Sequence, residues 1–297
     1  MKIKKTAFNI VDVFAEGKYS GNQLAVFRNA GHLSDIEMQK IAKEMNYSET
    51  TFIVSGKMKD NGYDVRIFTP ETEVPFAGHP TLGTAYVILH EFIRKPVKKI
   101  KLNLLAGQIP VSLKYKENLI DKLWMKQNEP VFGDTFDSKT ISDVLNINAD
   151  ALDPGFPVQE VSTGLPFIIV PLKTLTDVRE ARIDQERYYK LIEKTSAKAI
   201  FIFCPETYNK DNDLNARMFA DAYGIPEDPA TGSANGCLAG YLVKHRYFGE
   251  GPVNIRVEQG YEIGRPSLLY LRAEEENGRI EVHVGGKVFK VAEGEFV

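Results

Sequence analysis

The chain has 297 residues, enough for two globular domains with their own cores. Its 37 basic and 40 acidic side chains give a net charge of -3, which argues against nucleic acid as the main partner because phosphate binding requires a basic surface. No apolar run approaches the roughly 20 residues that span a bilayer, and the first residues lack the apolar core of a signal peptide. We therefore expect a cytoplasmic protein that does not enter a membrane.

Strand-like runs rich in Val, Ile and Phe alternate with a few helical segments. In chain order, the predicted strands are AFNIVDVFA, QLAVF, TTFIVSG, YDVRIFTP, LPFIIVPL, KAIFIFCPE and RIEVHVGGKVFKV. The predicted helices are HLSDIEMQKIAKEM, GHPTLGTAYVILHEFI, DQERYYKLIEKT and SANGCLAGYLVKH; Ser34 and Glu37 predict a capping box for the first. The excess of sheet over helix, without steady βαβ alternation, indicates an α+β fold.

The two halves of the chain contain similar segments, DVRIFTPETEVPFAGHPTLGTAYVILH and NARMFADAYGIPEDPATGSANGCLAGYLVKH. Each has an Arg-apolar-Phe strand, an acidic loop with proline, and a glycine that opens an apolar helix ending in histidine. Chance similarity is the alternative to a true repeat. The repeat predicts pseudo-symmetric domains of residues 1–120 and 121–297, divided in the polar stretch KYKENLIDKLWMKQNEP, with the last strand able to return to the first domain. A cleft between two such domains is a preferred place for a small-molecule site.

The turns before the two repeated helices, AGHPTLG and TGSANG, are rich in small residues. Their glycines, Gly78 and Gly232, are 154 residues apart. Helix N-termini expose unpaired N–H groups and a partial positive charge, which suit a carboxylate. For either turn alone, a glycine that serves only a tight turn is the simpler interpretation. Together, the turns predict that Gly78, Gly232 and Ser233 bind an anionic group of a substrate.

Three further side chains could carry chemistry, and two of them lie at these turns. His79 follows the first glycine, at the position that Ser233 takes in the second half; alone, it would more often be structural. The other histidines form no HxH or HExxH pattern, so we expect no metal. Asp228 precedes a proline, which also suits a simple turn. Glu49 lies between a helical pattern and an apolar strand, where it could be a buried general acid/base or a solvated helix-end residue.

Five motifs in family order give the chain a resemblance to a known family: SGNQLAVF, SETTFI, FTPETEVPFAGHPTLG, STGLPF and EDPATGSANG. Together they resemble the phenazine-biosynthesis PhzF-like isomerases, relatives of diaminopimelate epimerase, over Ile10 to at least Tyr241. The resemblance implies two pseudo-symmetric domains, each a β-sheet wrapped around a central helix, with the active site in the cleft between them. It also implies a homodimer that uses neither a metal nor an organic cofactor.

The same resemblance assigns roles to four residues. The family's acid/base glutamate falls on Glu49, and its substrate-contacting histidine, aspartate and serine fall on His79, Asp228 and Ser233. In the characterised phenazine enzyme, the substrate is trans-2,3-dihydro-3-hydroxyanthranilate and the glutamate moves a proton between ring carbons. The resemblance therefore implies a cofactor-independent isomerase of a small carboxylated, cyclic or amino-bearing metabolite.

The epimerase relatives use different chemistry, with one cysteine thiol at each glycine turn. The corresponding positions here are Ala77 and Thr231, which cannot deprotonate a carbon. Cys204 and Cys237 lie elsewhere, without CxxC spacing, and are expected to be reduced and structural. Two-thiol racemisation is therefore disfavoured.

Two other functions stay open at the level of sequence. A serine hydrolase could use Ser233 as its nucleophile with His79 and Asp228, although Gly-Ser-Ala-Asn-Gly is not the G-x-S-x-G elbow. A non-catalytic binding protein could keep the same cleft without any reaction.

Overall fold

Strands outnumber helices in the computed structural model, which describes residues 5–297. The strands are β1 (Thr6–Val13), β2 (Asn22–Phe27), β3 (Thr50–Ile53), β4 (Tyr63–Phe68), β5 (Glu73–Val74), β6 (Lys99–Leu104), β7 (Gly107–Lys116), β8 (Leu119–Lys126), β9 (Val131–Phe136), β10 (Val158–Ser162), β11 (Pro166–Pro171), β12 (Ala199–Cys204), β13 (Leu214–Ala220), β14 (Ile225–Asp228), β15 (Val253–Gln259), β16 (Ser267–Glu276), β17 (Arg279–Gly286) and β18 (Val288–Phe296). The helices are α1 (Asp35–Met45), α2 (Gly78–Ile88), α3 (Ser138–Leu145), α4 (Leu175–Glu180), α5 (Gln185–Ile192) and α6 (Gly232–Lys244). A π-helical turn, Leu89–Ile93, continues α2, and single 3-10 turns span Ala149–Ala151 and Asp221–Tyr223. The α+β prediction is confirmed.

Local sequence signals account for several of these elements. The predicted capping box is confirmed at α1, where the Ser34 hydroxyl accepts from the Glu37 amide and the Glu37 carboxylate accepts from the Ser34 amide. The run predicted as one final strand forms two, β17 and β18, which are interrupted at Lys287. Within the described residues, no helix is long and apolar enough to cross a membrane.

The chain divides into two compact units. The first comprises the chain up to Met125 together with Gly285–Val297, so it includes the C-terminal strand β18. The second comprises Lys126–Val284. The stretch predicted as a polar boundary forms the end of β7, the strand β8 and the residues that follow it.

The two units have the same strand order. In the first, β18, β1, β2, β3, β4, β6, β7 and β8 are neighbours in that order. In the second, the order is β9, β10, β11, β12, β13, β15 and β16. In both series the first two pairings are antiparallel, the third is parallel, the fourth antiparallel, the fifth parallel and the sixth antiparallel. The internal repeat seen in the sequence is therefore a repeat of topology.

Each unit encloses one helix that is buried on nearly all sides. Ten of the eleven residues of α2 are buried, and the helix contacts β1, β2, β3, β6, β7 and β18. In the second unit, eleven of the thirteen residues of α6 are buried against β10, β11, β15 and β16. A helix that is apolar all round is stable only in such surroundings, which explains why both segments lack a polar face.

The repeat also preserves one arginine–glutamate ion pair in each unit. Arg66 on β4 makes two hydrogen bonds to the Glu73 carboxylate, at 2.7 and 2.6 Å. Arg217 on β13 makes the same fork to Glu227, at 2.9 and 2.7 Å, and is almost fully buried. Both guanidinium groups lie over the ring of the phenylalanine two residues later, at 5.0 and 4.7 Å from the ring centre. The Arg-apolar-Phe pattern thus fixes the loop that leads to each helix.

Close packing of α2 predicts the effect of one substitution. A Cβ atom at Gly83 would lie 2.6 Å from Leu24, 2.9 Å from Val13 and 3.1 Å from Val11. Gly83→Ala should lower the free energy of unfolding by about 1–3 kcal/mol because these side chains must shift, whereas alanine at an open helix position would raise it by up to about 1 kcal/mol. Chemical denaturation measures the change. Gly17→Ala, with nothing within 4 Å of the new Cβ, is the control; a stabilised Gly83→Ala protein would contradict the prediction.

Candidate functional site

In the first unit, Glu49 and His79 lie side by side. Glu49 immediately precedes β3, and His79 is the second residue of α2. The Nε2 atom of His79 lies 3.5 Å from a carboxylate oxygen of Glu49. His79 is buried and the Glu49 side chain is 17% exposed. The structure therefore brings together the predicted acid/base and the predicted substrate-contacting histidine of this unit.

The surroundings of His79 keep its imidazole neutral. Burial lowers the pKa of His79 to about 3, although a hydrogen bond to the Gln23 backbone acts in the opposite direction. A hydrogen bond that raises the pKa of a histidine is one in which the ring donates, so the ring hydrogen points to the Gln23 carbonyl. Nε2 makes no hydrogen bond within the described residues, so in the neutral ring this nitrogen is an acceptor beside Glu49. At neutral pH the two groups are therefore not an ion pair.

The N-terminus of α2 lacks a side-chain cap. Its N-cap is Ala77, in extended conformation at φ −151° and ψ 145°, and alanine has no group that could bond the first amides. The hydroxyl of Thr81 donates instead to the Ala77 carbonyl at 2.7 Å, which holds the turn from inside the helix. Gly78 and His79 occupy the first turn and are both buried. The helix end is therefore available for an anionic group.

In the second unit, the N-terminus of α6 is arranged in the same way. Its N-cap, Thr231, makes no side-chain cap; its hydroxyl donates instead to the carboxylate of Asp228 at 2.5 Å. Asp228 ends β14 and is 5% exposed. Gly232 is buried and Ser233 is partly buried, both in the first turn of α6. The three residues predicted for this half therefore lie on one loop and one helix turn.

One residue that bonds this loop was not predicted from the sequence. Gln259, at the end of β15, is fully buried and bonds the backbone of Asp228 and Thr231 and the side chain of Asn235. The structure marks this residue by its burial. Buried and exposed residues alternate along β15 up to Val257, but Glu258 and Gln259 are then both buried. From the sequence alone, two polar residues at a strand end indicate only the end of the strand.

The site contains no thiol that could act as a base. The N-cap positions, where the epimerase relatives were expected to have cysteines, hold Ala77 and Thr231. Cys204 on β12 and Cys237 within α6 are buried free thiols, and burial raises the pKa of each to about 12. Both cysteines therefore stay protonated at neutral pH.

The contacts of the candidate residues differ from those of a serine hydrolase. In a catalytic triad, one ring nitrogen of the histidine donates to an aspartate. The His79 ring donates to the Gln23 backbone, and its other nitrogen faces Glu49. Asp228 accepts a hydrogen bond from Thr231.

Across residues 5–297, no group of three or more His, Cys, Asp or Glu side chains is arranged to hold a metal ion.

The chain is similar to known proteins over nearly its whole length. The family model described as phenazine biosynthesis-like protein, PhzC-PhzF, matches residues 11–294. The chain is 34% identical to an uncharacterised isomerase of Clostridium acetobutylicum, over 99% of both chains. It is 33% identical to the trans-2,3-dihydro-3-hydroxyanthranilate isomerase of Pseudomonas aeruginosa, over 96% of this chain and 97% of that one.

A solved structure extends the similarity to the fold. The PhzF-family phenazine biosynthesis protein of Bacillus anthracis superimposes with a TM-score of 0.91 at 25% identity, covering 99% of this chain and 100% of that one. The match covers both units, and the relatives found by sequence are named isomerases. The chain therefore belongs to the phenazine biosynthesis-like (PhzC-PhzF) family, and it is an isomerase.

Proposed function

We propose that this isomerase moves a proton between two carbons of a small carboxylated, cyclic or amino-bearing metabolite, with Glu49 as the general acid/base and without a cofactor. The observation that carries the proposal is the 3.5 Å approach of the buried His79 ring to the partly buried Glu49 carboxylate at the N-terminus of α2. The remaining candidate residues bind and orient the substrate.

A neutral His79 beside Glu49 suits a carboxyl group that must both accept and donate a proton. A charged imidazole 3.5 Å away would hold Glu49 as a carboxylate and oppose its protonation. The neutral His79 presents a lone pair on Nε2, which accepts a hydrogen bond from the protonated carboxyl group or from a substrate hydroxyl. In the first step Glu49 takes a proton from one substrate carbon as the double bond shifts; in the second it returns that proton to another carbon. No atom or electron is gained or lost overall.

A single carboxylate is a weak base for carbon. The C–H bond must therefore be acidified by conjugation within the substrate, and the developing negative charge must be stabilised by fixed dipoles. The uncapped end of α6, with Ser233 and the Gly232 backbone, supplies such dipoles for the substrate carboxylate. His79 and Asp228 orient the neighbouring polar groups.

The proposed substrate class is supported by the chemistry of the helix ends and by the name of one relative. Each unit has one helix end without a side-chain cap, and such an end favours an anionic ligand. The Pseudomonas aeruginosa relative is named for trans-2,3-dihydro-3-hydroxyanthranilate, a conjugated cyclic amino acid with one carboxylate. We therefore take this compound as the first substrate to test.

Replacement of Glu49 tests the acid/base role. Glu49→Gln should lower kcat on trans-2,3-dihydro-3-hydroxyanthranilate by about 100-fold or more, since general acid/base catalysis contributes about 10²–10⁴. The measurement is the rate of isomerisation, together with deuterium incorporation from D2O. Glu44→Gln, which changes an exposed glutamate on α1, is the matched control. A folded Glu49→Gln protein with full turnover would exclude the mechanism. Wild-type protein that binds the compound without turnover or deuterium exchange would exclude this compound as the substrate.

The neutral state of His79 predicts a pH dependence of stability. In the unfolded chain the pKa of His79 returns to its ordinary value of 6.5, whereas burial lowers it to about 3 in the folded protein. Between these values the unfolded state binds the proton and the folded state does not, so acid favours unfolding. Relative to His79→Asn, the wild-type free energy of unfolding should fall as pH drops from 6.5 to 4, by at most about 1.4 kcal/mol per pH unit. A difference that grew in acid would indicate a charged His79 paired with Glu49; His90→Asn, at an exposed histidine, is the control.

Replacement of Ser233 distinguishes a role in substrate binding from a role as a catalytic nucleophile. If its hydroxyl binds the substrate carboxylate, Ser233→Ala should raise KM by about 5- to 100-fold, the loss of one or two charge-assisted hydrogen bonds, and change kcat little. Steady-state kinetics give both constants. A fluorophosphonate should leave Ser233 unlabelled; stoichiometric labelling together with loss of all turnover in Ser233→Ala would support the hydrolase instead.

A further inference from the structure

Gln259 uses its whole hydrogen-bonding capacity on the loop before α6. Its side-chain oxygen accepts from the Thr231 amide at 3.1 Å and from the Asn235 side chain at 3.0 Å. Its side-chain nitrogen donates to the Asp228 carbonyl at 2.8 Å and to the Thr231 hydroxyl at 3.1 Å. A primary amide has two donors and two principal acceptor positions, so all four are used. Because Gln259 is fully buried, water cannot substitute for any of these bonds.

These bonds fix the direction of the Asp228 carboxylate. The Thr231 hydroxyl accepts from Gln259 and so directs its own hydrogen to Asp228, at 2.5 Å. The next residue, Gly260, has φ +78°, and a Cβ there would lie 2.6 Å from the Pro229 carbonyl oxygen. The end of β15 therefore holds the loop from Asp228 to Thr231 through side-chain bonds and through direct backbone packing.

The corresponding position of the first unit shows that the fold alone does not require an amide. Ala216, beside Arg217, pairs with Gln259 between β13 and β15. In the first unit Tyr63 and Asp64 on β4 pair with Leu102 and Asn103 on β6, so Val65, beside Arg66, continues the register to Leu104. Leu104 is a buried apolar residue at the place that Gln259 takes in the second unit. The side-chain amide of Gln259 therefore occurs together with the Asp228 loop and is not required by the fold.

We propose that Gln259 is a positioning residue, which holds Asp228 and the first turn of α6 in the geometry that binds the substrate. The proposal rests on the proposed function, in which Asp228 and Ser233 contact the substrate. Gln259 itself acts only through these residues. Its loss should therefore change catalysis by the folded protein and not merely the stability of the fold.

Gln259→Met tests this role because methionine keeps the length and the approximate volume of glutamine while removing all four hydrogen bonds. We expect kcat/KM of the folded variant to fall at least 10-fold in the isomerisation assay used for Glu49→Gln. Hydrogen exchange of the backbone amides of residues 228–235, measured by mass spectrometry, should rise at least 10-fold because Thr231 loses its acceptor. Gln259→Leu, with the residue that the first unit has at this place, serves if the methionine variant does not fold.

Glu258→Gln is the matched control for a buried polar residue with a purely structural role. Glu258 is the neighbouring residue of β15 and is fully buried. Its carboxylate accepts from the amides of Tyr208 and Asn209 and from the side chains of Asn212 and Asn215, at 2.7 to 3.2 Å. This variant should lose thermal stability and protection around residues 208–212, with kcat/KM of the folded protein within twofold of wild type.

The outcomes separate the two proposals. Unchanged exchange at residues 228–235, or a kcat/KM within twofold of wild type in folded Gln259→Met, would reject the role of Gln259. Loss of turnover in Gln259→Met with full turnover in Glu49→Gln would keep the positioning role and reject the acid/base assignment. A loss of kcat/KM in Glu258→Gln equal to that in Gln259→Met would show that both residues matter only through stability, which also rejects the proposal.

Discussion

The burial of α2 and α6 is the constraint on which the rest of each unit depends. A helix enclosed by strands cannot slide or rotate without disturbing side chains on every side, since protein interiors are close-packed. Small residues make this enclosure possible: a Cβ at Gly83 would meet Leu24, and one at Gly240 would lie 2.7 Å from Pro130. The first turn of each helix is therefore held at a fixed place within its unit. Fixed amides and dipoles are what an anion-binding site requires.

The repeat separates the features that serve the fold from those that serve the chemistry. The strand order, the enclosed helix and the arginine–glutamate ion pair occur in both units. The polar groups at the helix ends occur in one unit each: a histidine follows the glycine in the first and a serine in the second. Leu104 and Gln259 differ in the same way. Positions that differ between two copies of one architecture are not explained by the architecture, and they are the positions to which function is assigned.

The sequence predicted features that depend on neighbouring residues along the chain, and it missed contacts between segments that are distant in sequence. The capping box of α1 joins residues three apart, and the apolar helix patterns are equally local, so both could be read directly. The glycine turns could be found because they occur twice. The bond from His79 to the Gln23 backbone and the bonds made by Gln259 join segments far apart in sequence. Such pairs depend on how distant segments pack together in the fold, which a single sequence does not specify.

Burial accounts for the neutral His79 beside Glu49 that the proposed reaction requires in place of a salt bridge. In water, an imidazole beside a carboxylate would gain a proton near neutral pH, and the ion pair would hold the carboxylate in its charged form. Burial of His79 at the enclosed end of α2 makes the charged imidazole unfavourable, and desolvation outweighs the hydrogen bond to Gln23. In the proposed reaction, a neutral His79 leaves Glu49 free to accept the proton from one substrate carbon and to donate it to another. The packing that encloses α2 thus also sets the protonation state on which the proposed reaction depends.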